Sequence, residues 1–184
     1  MAETHETYPI EIGGVKRDLR LFEIKPGLKI AILNILGDTD LVEACTRDLV
    51  KKLDLDQFDV MVTAEAKSIP LAHSLSVATG KPYIILRKSY KIYMGNALEA
   101  DTVSITTGKP QTLLLDEKDI PLLKGKRAAI IDDVISTGST LEGMREIITK
   151  AGGVVAVEAA IFTEGDPDDW PHVIALGHLP VFTD

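Results

Sequence analysis

The sequence predicts an α/β domain: a mostly parallel open sheet flanked by helices. Two stretches carry that prediction. In the first, the apolar run at 59–64 is followed by a polar loop, a helical pattern over residues 69–79 and a second apolar run at 83–86. In the second, the apolar run at 128–131 leads through two acids and a small-residue loop into a helix. There Leu141, Met144, Ile147 and Ile148 recur at helical spacing, Gly152-Gly153 ends the helix, and 154–162 is a long apolar strand. Strand, loop, helix, strand is the order of parallel βαβ units, and unbroken apolar runs fit strands covered on both faces.

The remaining elements follow in order. Up to about residue 37 there are two short apolar runs, 19–24 and 28–36, expected as strands or extended arms beside the main sheet. Gly37-Asp38-Thr39-Asp40 combines a turn with helix-capping chemistry. Leu41, Cys45, Leu49 and Leu53 then mark one face of a helix running through Lys52. Past Leu86 the composition changes: Arg87, Lys88 and Lys91 cluster, and polar residues with Gly95, Gly108 and Pro110 extend to about 111. Flanks at 102–106 and 112–116 are expected to pair as an antiparallel hairpin, and an insertion of this length is usually functional or mobile. After residue 162 come an acidic turn at 165–169 and a short final strand at 173–176.

The 184 residues fit a single domain, and a net charge of -8 disfavours non-specific nucleic-acid binding. No apolar run is long enough to span a membrane, and the first residues are acidic and polar, unlike a secretory signal. The lone Cys45 permits no internal disulfide and reads as a small buried packing residue, so a cytoplasmic location is expected. Four histidines show no helical metal spacing, and no direct protein metal site is expected.

The chemistry concentrates in Asp132-Asp133-Val134-Ile135-Ser136-Thr137-Gly138-Ser139-Thr140. A helix start presents unpaired N–H groups and the positive end of its dipole, which suits a phosphate. Gly138 lets the backbone come close, and the hydroxyls of Ser136, Thr137, Ser139 and Thr140 add donors. Carboxylates would repel that phosphate, so Asp132 and Asp133 serve another part of the ligand; vicinal sugar hydroxyls suit them. An acidic strand end with a Ser/Thr helix cap would read the same way on spacing alone.

As a whole the run resembles the signature of the type I phosphoribosyltransferases, which bind 5-phosphoribosyl-1-pyrophosphate (PRPP). The resemblance is strong over 60–91 and 126–153 and is nearest to the adenine and xanthine enzymes. It implies the family fold, with a hood over about 1–37 and a flexible catalytic loop at about 89–111. It further implies that Asp132 and Asp133 hold the ribose hydroxyls while Ser136, Thr137, Gly138, Ser139 and Thr140 hold the 5′-phosphate. Ala66, Lys67 and Ser68, with a cis bond expected at Ala66–Lys67, stand where the family has its pyrophosphate loop. Arg87, Lys88 and Lys91 resemble the start of the catalytic loop. Lys67 and Arg87 join the two aspartates as the implied catalytic set.

The same resemblance implies Mg²⁺ held mainly by PRPP, a symmetric homodimer and small-molecule substrates. The usual loop Glu-Tyr pair is replaced here by Thr106-Thr107. Asn34, Phe162 and Glu164 are the implied base contacts. The 6-oxopurine enzymes carry a lysine on the strand after the motif; the corresponding Ala160-Ile161-Phe162-Thr163-Glu164-Gly165 has none. Adenine is therefore the expected base, giving AMP and pyrophosphate. A 6-oxopurine enzyme and a PRPP-sensing regulator are the alternatives. The regulator is disfavoured because the chain is acidic and no basic helix-turn-helix precedes the sheet.

Overall fold

The computed structural model describes residues 5–103 and 110–183. The chain opens with β1 (Thr7–Ile12) and β2 (Val15–Lys25), turns through β3 (Leu28–Ala31) and enters α1 (Thr39–Lys52). Asp38 caps α1 by accepting the Leu41 N–H at 3.2 Å, and Arg17 of β2 grips the same carboxylate with two bonds of 2.7 Å. That pair ties the first strands to the helix and holds the Asp38 carboxyl below the usual carboxylate range. The chain continues through β4 (Val60–Ala64), α2 (Ile69–Thr79), β5 (Tyr83–Leu86), β6 (Leu98–Val103) and β7 (Pro110–Leu115). It ends with α3 (Ile120–Leu123), β8 (Arg127–Ile135), α4 (Ser139–Lys150), β9 (Val154–Glu164), β10 (Ile174–Leu179) and β11 (Val181–Thr183).

The main sheet has the order β10-β9-β8-β4-β5 and is parallel throughout. Period-2 alternation sends Met61, Ala129, Ile131 and Ala159 to a core shared with α1, α2 and the first strands, while Val60, Val62, Ile130 and Ala160 meet α4. On α4 the expected apolar stripe of Leu141, Met144, Ile147 and Ile148 is fully buried, and each such side chain contributes about 1.5–3 kcal/mol. Cys45 is buried in α1, and that burial pushes its thiol up to about 12, so it packs and does not react.

Several boundaries differ from the expectation. The first strands form a separate antiparallel sheet, β1-β2-β3-β11, closed by a C-terminal strand that local patterning did not distinguish. β8 does not stop at its acids: it runs on to Ile135 because β9 continues beside it, pairing Asp132 with Ala160 and Val134 with Phe162. β9 likewise extends to Glu164, and the last parallel strand spans Ile174–Leu179 instead of 173–176. The hairpin exists, but it pairs Leu98 with Leu115 and Ala100 with Leu113, since burying these residues against α4 sets its register. Gly143 makes that docking possible, as a Cβ there would lie 2.2 Å from Thr102 Cγ2. Thr106 and Thr107, at the expected Glu-Tyr positions, lie outside the described residues. Among the described residues no helix is long and apolar enough to cross a membrane.

Candidate active site

Ligands of open parallel sheets sit beyond the carboxyl ends of the strands, and here β4, β5, β8 and β9 deliver polar groups to that edge. β8 supplies the centre. Asp132 and Asp133 are both buried, and one hydroxyl holds them together. Ser68 Oγ donates toward Asp132 Oδ1 at 2.7 Å and Asp133 Oδ1 at 3.0 Å, and accepts the Asp133 N–H at 3.1 Å. The Asp133 N–H also reaches Asp132 Oδ1 at 2.9 Å. Burial raises the Asp132 carboxyl above its ordinary value and the neighbouring Asp133 charge adds to it. The pair therefore resists carrying two full charges.

Beyond Ile135 the chain enters the small-residue loop. Gly138 has φ +77°, a left-handed conformation that suits glycine, and α4 starts on it with no side-chain cap. Ser136–Leu141, Asp132, Thr102 and Gln111 line a cavity of about 120 Å³ at this helix start. The small-residue loop and one carboxylate thus share a single small space, whose other wall is the β6–β7 hairpin.

The loop after β4 differs in detail from the expectation. The cis peptide joins Glu65 to Ala66, one residue before the expected place; Glu65 N–H still pairs with Leu86 O at 2.9 Å, and the chain reverses directly after it. Ser68, expected at the pyrophosphate, turns its side chain to the aspartates and is 2% exposed. Lys67 points its ammonium to the Leu33 carbonyl at 3.2 Å and to Asp133 Oδ2 at 3.5 Å, joining the segment after β3 to the aspartate pair.

Glu65, which sequence reasoning missed, organises the basic cluster: it pairs with Arg87 and accepts the Lys88 N–H at 2.9 Å. Arg87 also pairs with Leu114 through both backbone groups at 2.8 Å, and its Nη1 reaches Tyr93 Oη at 3.4 Å. Lys91 lies on the exposed stretch that follows.

The expected base contacts separate into three environments. Asn34 is exposed, with its Oδ1 accepting the Leu36 N–H at 3.2 Å. Phe162 is buried rather than offered as a stacking surface, because side-chain-free Gly177 lets its ring pack on β10; a Cβ there would lie 2.9 Å from Phe162 Cε1. Glu164 is also buried, and its carboxylate makes no hydrogen bond among the described residues. That burial raises its pKa, while the Lys67 charge opposes the rise. His178 fixes the turn after it. Its Nε2 lies 3.1 Å from the Gly165 carbonyl, an acceptor only, so Nε2 donates there and Nδ1 receives the Thr163 hydroxyl at 3.0 Å.

Paired, hydroxyl-pinned carboxylates thus stand beside an uncapped helix start at the carboxyl edge of a parallel α/β sheet. Residues 33–172 match the family model for the phosphoribosyl transferase domain. The chain is 34% identical over 169 residues to a hypoxanthine/guanine phosphoribosyltransferase of Methanocella paludicola, covering 90% of this chain and 79% of the relative. It is 25% identical over 200 residues to the purine biosynthesis transcriptional activator PurR of Lactococcus lactis, covering 96% and 73%. An adenine phosphoribosyltransferase from Thermoanaerobacter pseudethanolicus shares the fold with a TM-score of 0.72 at 22% identity, over 87% of this chain and 95% of that one. The chain belongs to the type I phosphoribosyltransferase family, whose enzymes are pentosyltransferases.

Proposed function

We propose that this protein transfers the phosphoribosyl group of PRPP to a purine, with adenine as the base, giving AMP and pyrophosphate. The observation that carries the reading is Ser68 holding Asp132 and Asp133 together beside the uncapped start of α4. In the proposed step a purine ring nitrogen bonds to ribose C1′ and gives up its proton, which the departing pyrophosphate takes. The bond from C1′ to the pyrophosphate oxygen breaks, and its electron pair leaves with pyrophosphate. Asp132 and Asp133 accept the ribose hydroxyls and face the carbon that becomes cationic. The amides and hydroxyls of 136–140 hold the 5′-phosphate, while Arg87, Lys88 and Lys91 face the departing pyrophosphate with fixed positive charge.

Among the described residues no three His, Cys, Asp or Glu side chains converge as a metal-binding set, and the two aspartates already share the Ser68 hydroxyl. These residues fit a Mg²⁺ held mainly by PRPP oxygens and water, with Asp132 and Asp133 as outer partners. Such an ion supplies charge neutralisation at the pyrophosphate.

The base assignment rests on Glu164. An ionised carboxylate accepts hydrogen bonds, so it suits the 6-amine of adenine and offers nothing to the 6-oxygen of hypoxanthine, xanthine or guanine. An unmet buried polar group costs about 1–3 kcal/mol, enough for roughly tenfold discrimination or more. The second reading, a hypoxanthine or guanine enzyme, is favoured by the relative from Methanocella paludicola. Competition among adenine, hypoxanthine, guanine and xanthine at fixed PRPP separates the two. Preference for an oxopurine overturns the adenine assignment, and PRPP binding without turnover of any purine identifies a regulator.

A further inference from the structure

The chain's single tryptophan, Trp170, lies against the small-residue loop, 32 positions further along the sequence from Gly138. It follows the turn Pro167–Asp169 and packs against the core shared by α4 and the sheet. The contact with the loop is direct. A Cβ on Gly138 would lie 2.5 Å from Trp170 Cη2, 3.3 Å from Cζ3 and 3.5 Å from Cζ2. The benzo edge of the indole therefore occupies the space that any larger residue at 138 would need. Trp170 Nε1 is buried without a hydrogen-bond partner among the described residues, so packing and not a polar anchor holds the ring here. Within the loop, side chains give little support: the contact between them is Thr137 Oγ1 to Ser139 Oγ at 3.4 Å, and α4 has no side-chain cap.

We propose that Trp170 is a positioning residue for the 5′-phosphate loop, its indole backing Gly138 so that the donors of 136–140 stay aimed at the phosphate before ligand arrives. Preorganised donors bind an anion without first being ordered, and small misplacements of such groups are costly. The ring is not part of the lining of the cavity at the loop, so it acts through Gly138 and not on substrate. The proposal rests on reading 136–140 as the 5′-phosphate site.

The test begins with the full-length wild-type protein. Turnover is measured with PRPP and each purine, and Trp170 emission is followed during titration with ribose 5-phosphate, which lacks both pyrophosphate and base. The expected result is a saturable emission change. Trp170→Ala should then raise the KM for PRPP and the Kd for ribose 5-phosphate about tenfold to a hundredfold, leaving the purine KM within about twofold. Trp170→Phe, which keeps an aromatic face and loses no hydrogen bond, should recover most of the affinity. Where Trp170→Ala does not fold, the wild-type emission and the Trp170→Phe kinetics decide. Emission unmoved by saturating ribose 5-phosphate in an active enzyme overturns the proposal, as does a Trp170→Ala variant whose two KM values are unchanged or rise equally. A wild type that neither binds nor uses PRPP removes the 5′-phosphate reading itself, and the role of Trp170 with it.

Discussion

Ser68→Ala isolates the hydroxyl on which the two aspartates depend. The exchange removes one oxygen from a residue that is 2% exposed, so it adds no bulk and leaves only a small void. A hydroxyl has one proton, shared between Asp132 Oδ1 at 2.7 Å and Asp133 Oδ1 at 3.0 Å, so a single charge-assisted donor is lost. The Asp133 N–H keeps its second acceptor, Asp132 Oδ1 at 2.9 Å, and is not orphaned. A hydrogen bond to a charged group is worth about 1.5–3 kcal/mol, which corresponds to a roughly ten- to hundredfold loss in kcat/KM for PRPP. The purine KM should move little, because the hydroxyl faces the ribose carboxylates. The assay is steady-state kinetics with each substrate varied in turn, with thermal unfolding to confirm the fold. A folded Ser68→Ala protein with PRPP kinetics within twofold of wild type would refute the assignment of these aspartates to the ribose.

Three further outcomes are expected. Asp133→Asn keeps the shape but removes charge, so activity should fall at least tenfold with an unchanged fold; unaltered PRPP kinetics would contradict the diol role. Asp132 is raised in the folded state from 3.8 to about 7, so the stability this group contributes is present at low pH and lost as pH rises between those values. Thermal midpoints of ligand-free wild type relative to Asp132→Asn should therefore decline from about pH 4 to about pH 7, and a flat difference would exclude the raised carboxyl. For the homodimer that the family resemblance implies, Ile92 is 92% exposed between Tyr90 and Tyr93, themselves 54% and 67% exposed, an apolar surface suited to a second copy. Ile92→Asp should shift a dimer toward monomer in light scattering, whereas a wild type that is monomeric and fully active at micromolar concentration rejects the assembly.

The sequence by itself determined the elements that local periodicity can encode. The unbroken apolar runs of β4, β5 and β8 announced strands buried on both faces, and the stripe Leu141, Met144, Ile147, Ile148 announced the inward side of α4. The placing of the acids and the Gly138 loop between β8 and α4 was legible too, because those residues are neighbours in the chain. Tertiary structure decided what meets across the sheet edge. Ser68 reaches Asp132 over 64 positions, Lys67 reaches the Leu33 carbonyl over 34, and Trp170 backs Gly138 from beyond β9. β11 closes the first sheet from the far end of the chain, and Gly177 hides the Phe162 ring that sequence reasoning offered to a base. The physical reason is one of range. Side-chain period reports which face of an element is covered, while strand order and the lengths of paired strands select the covering residue, and neither quantity is written in any local window.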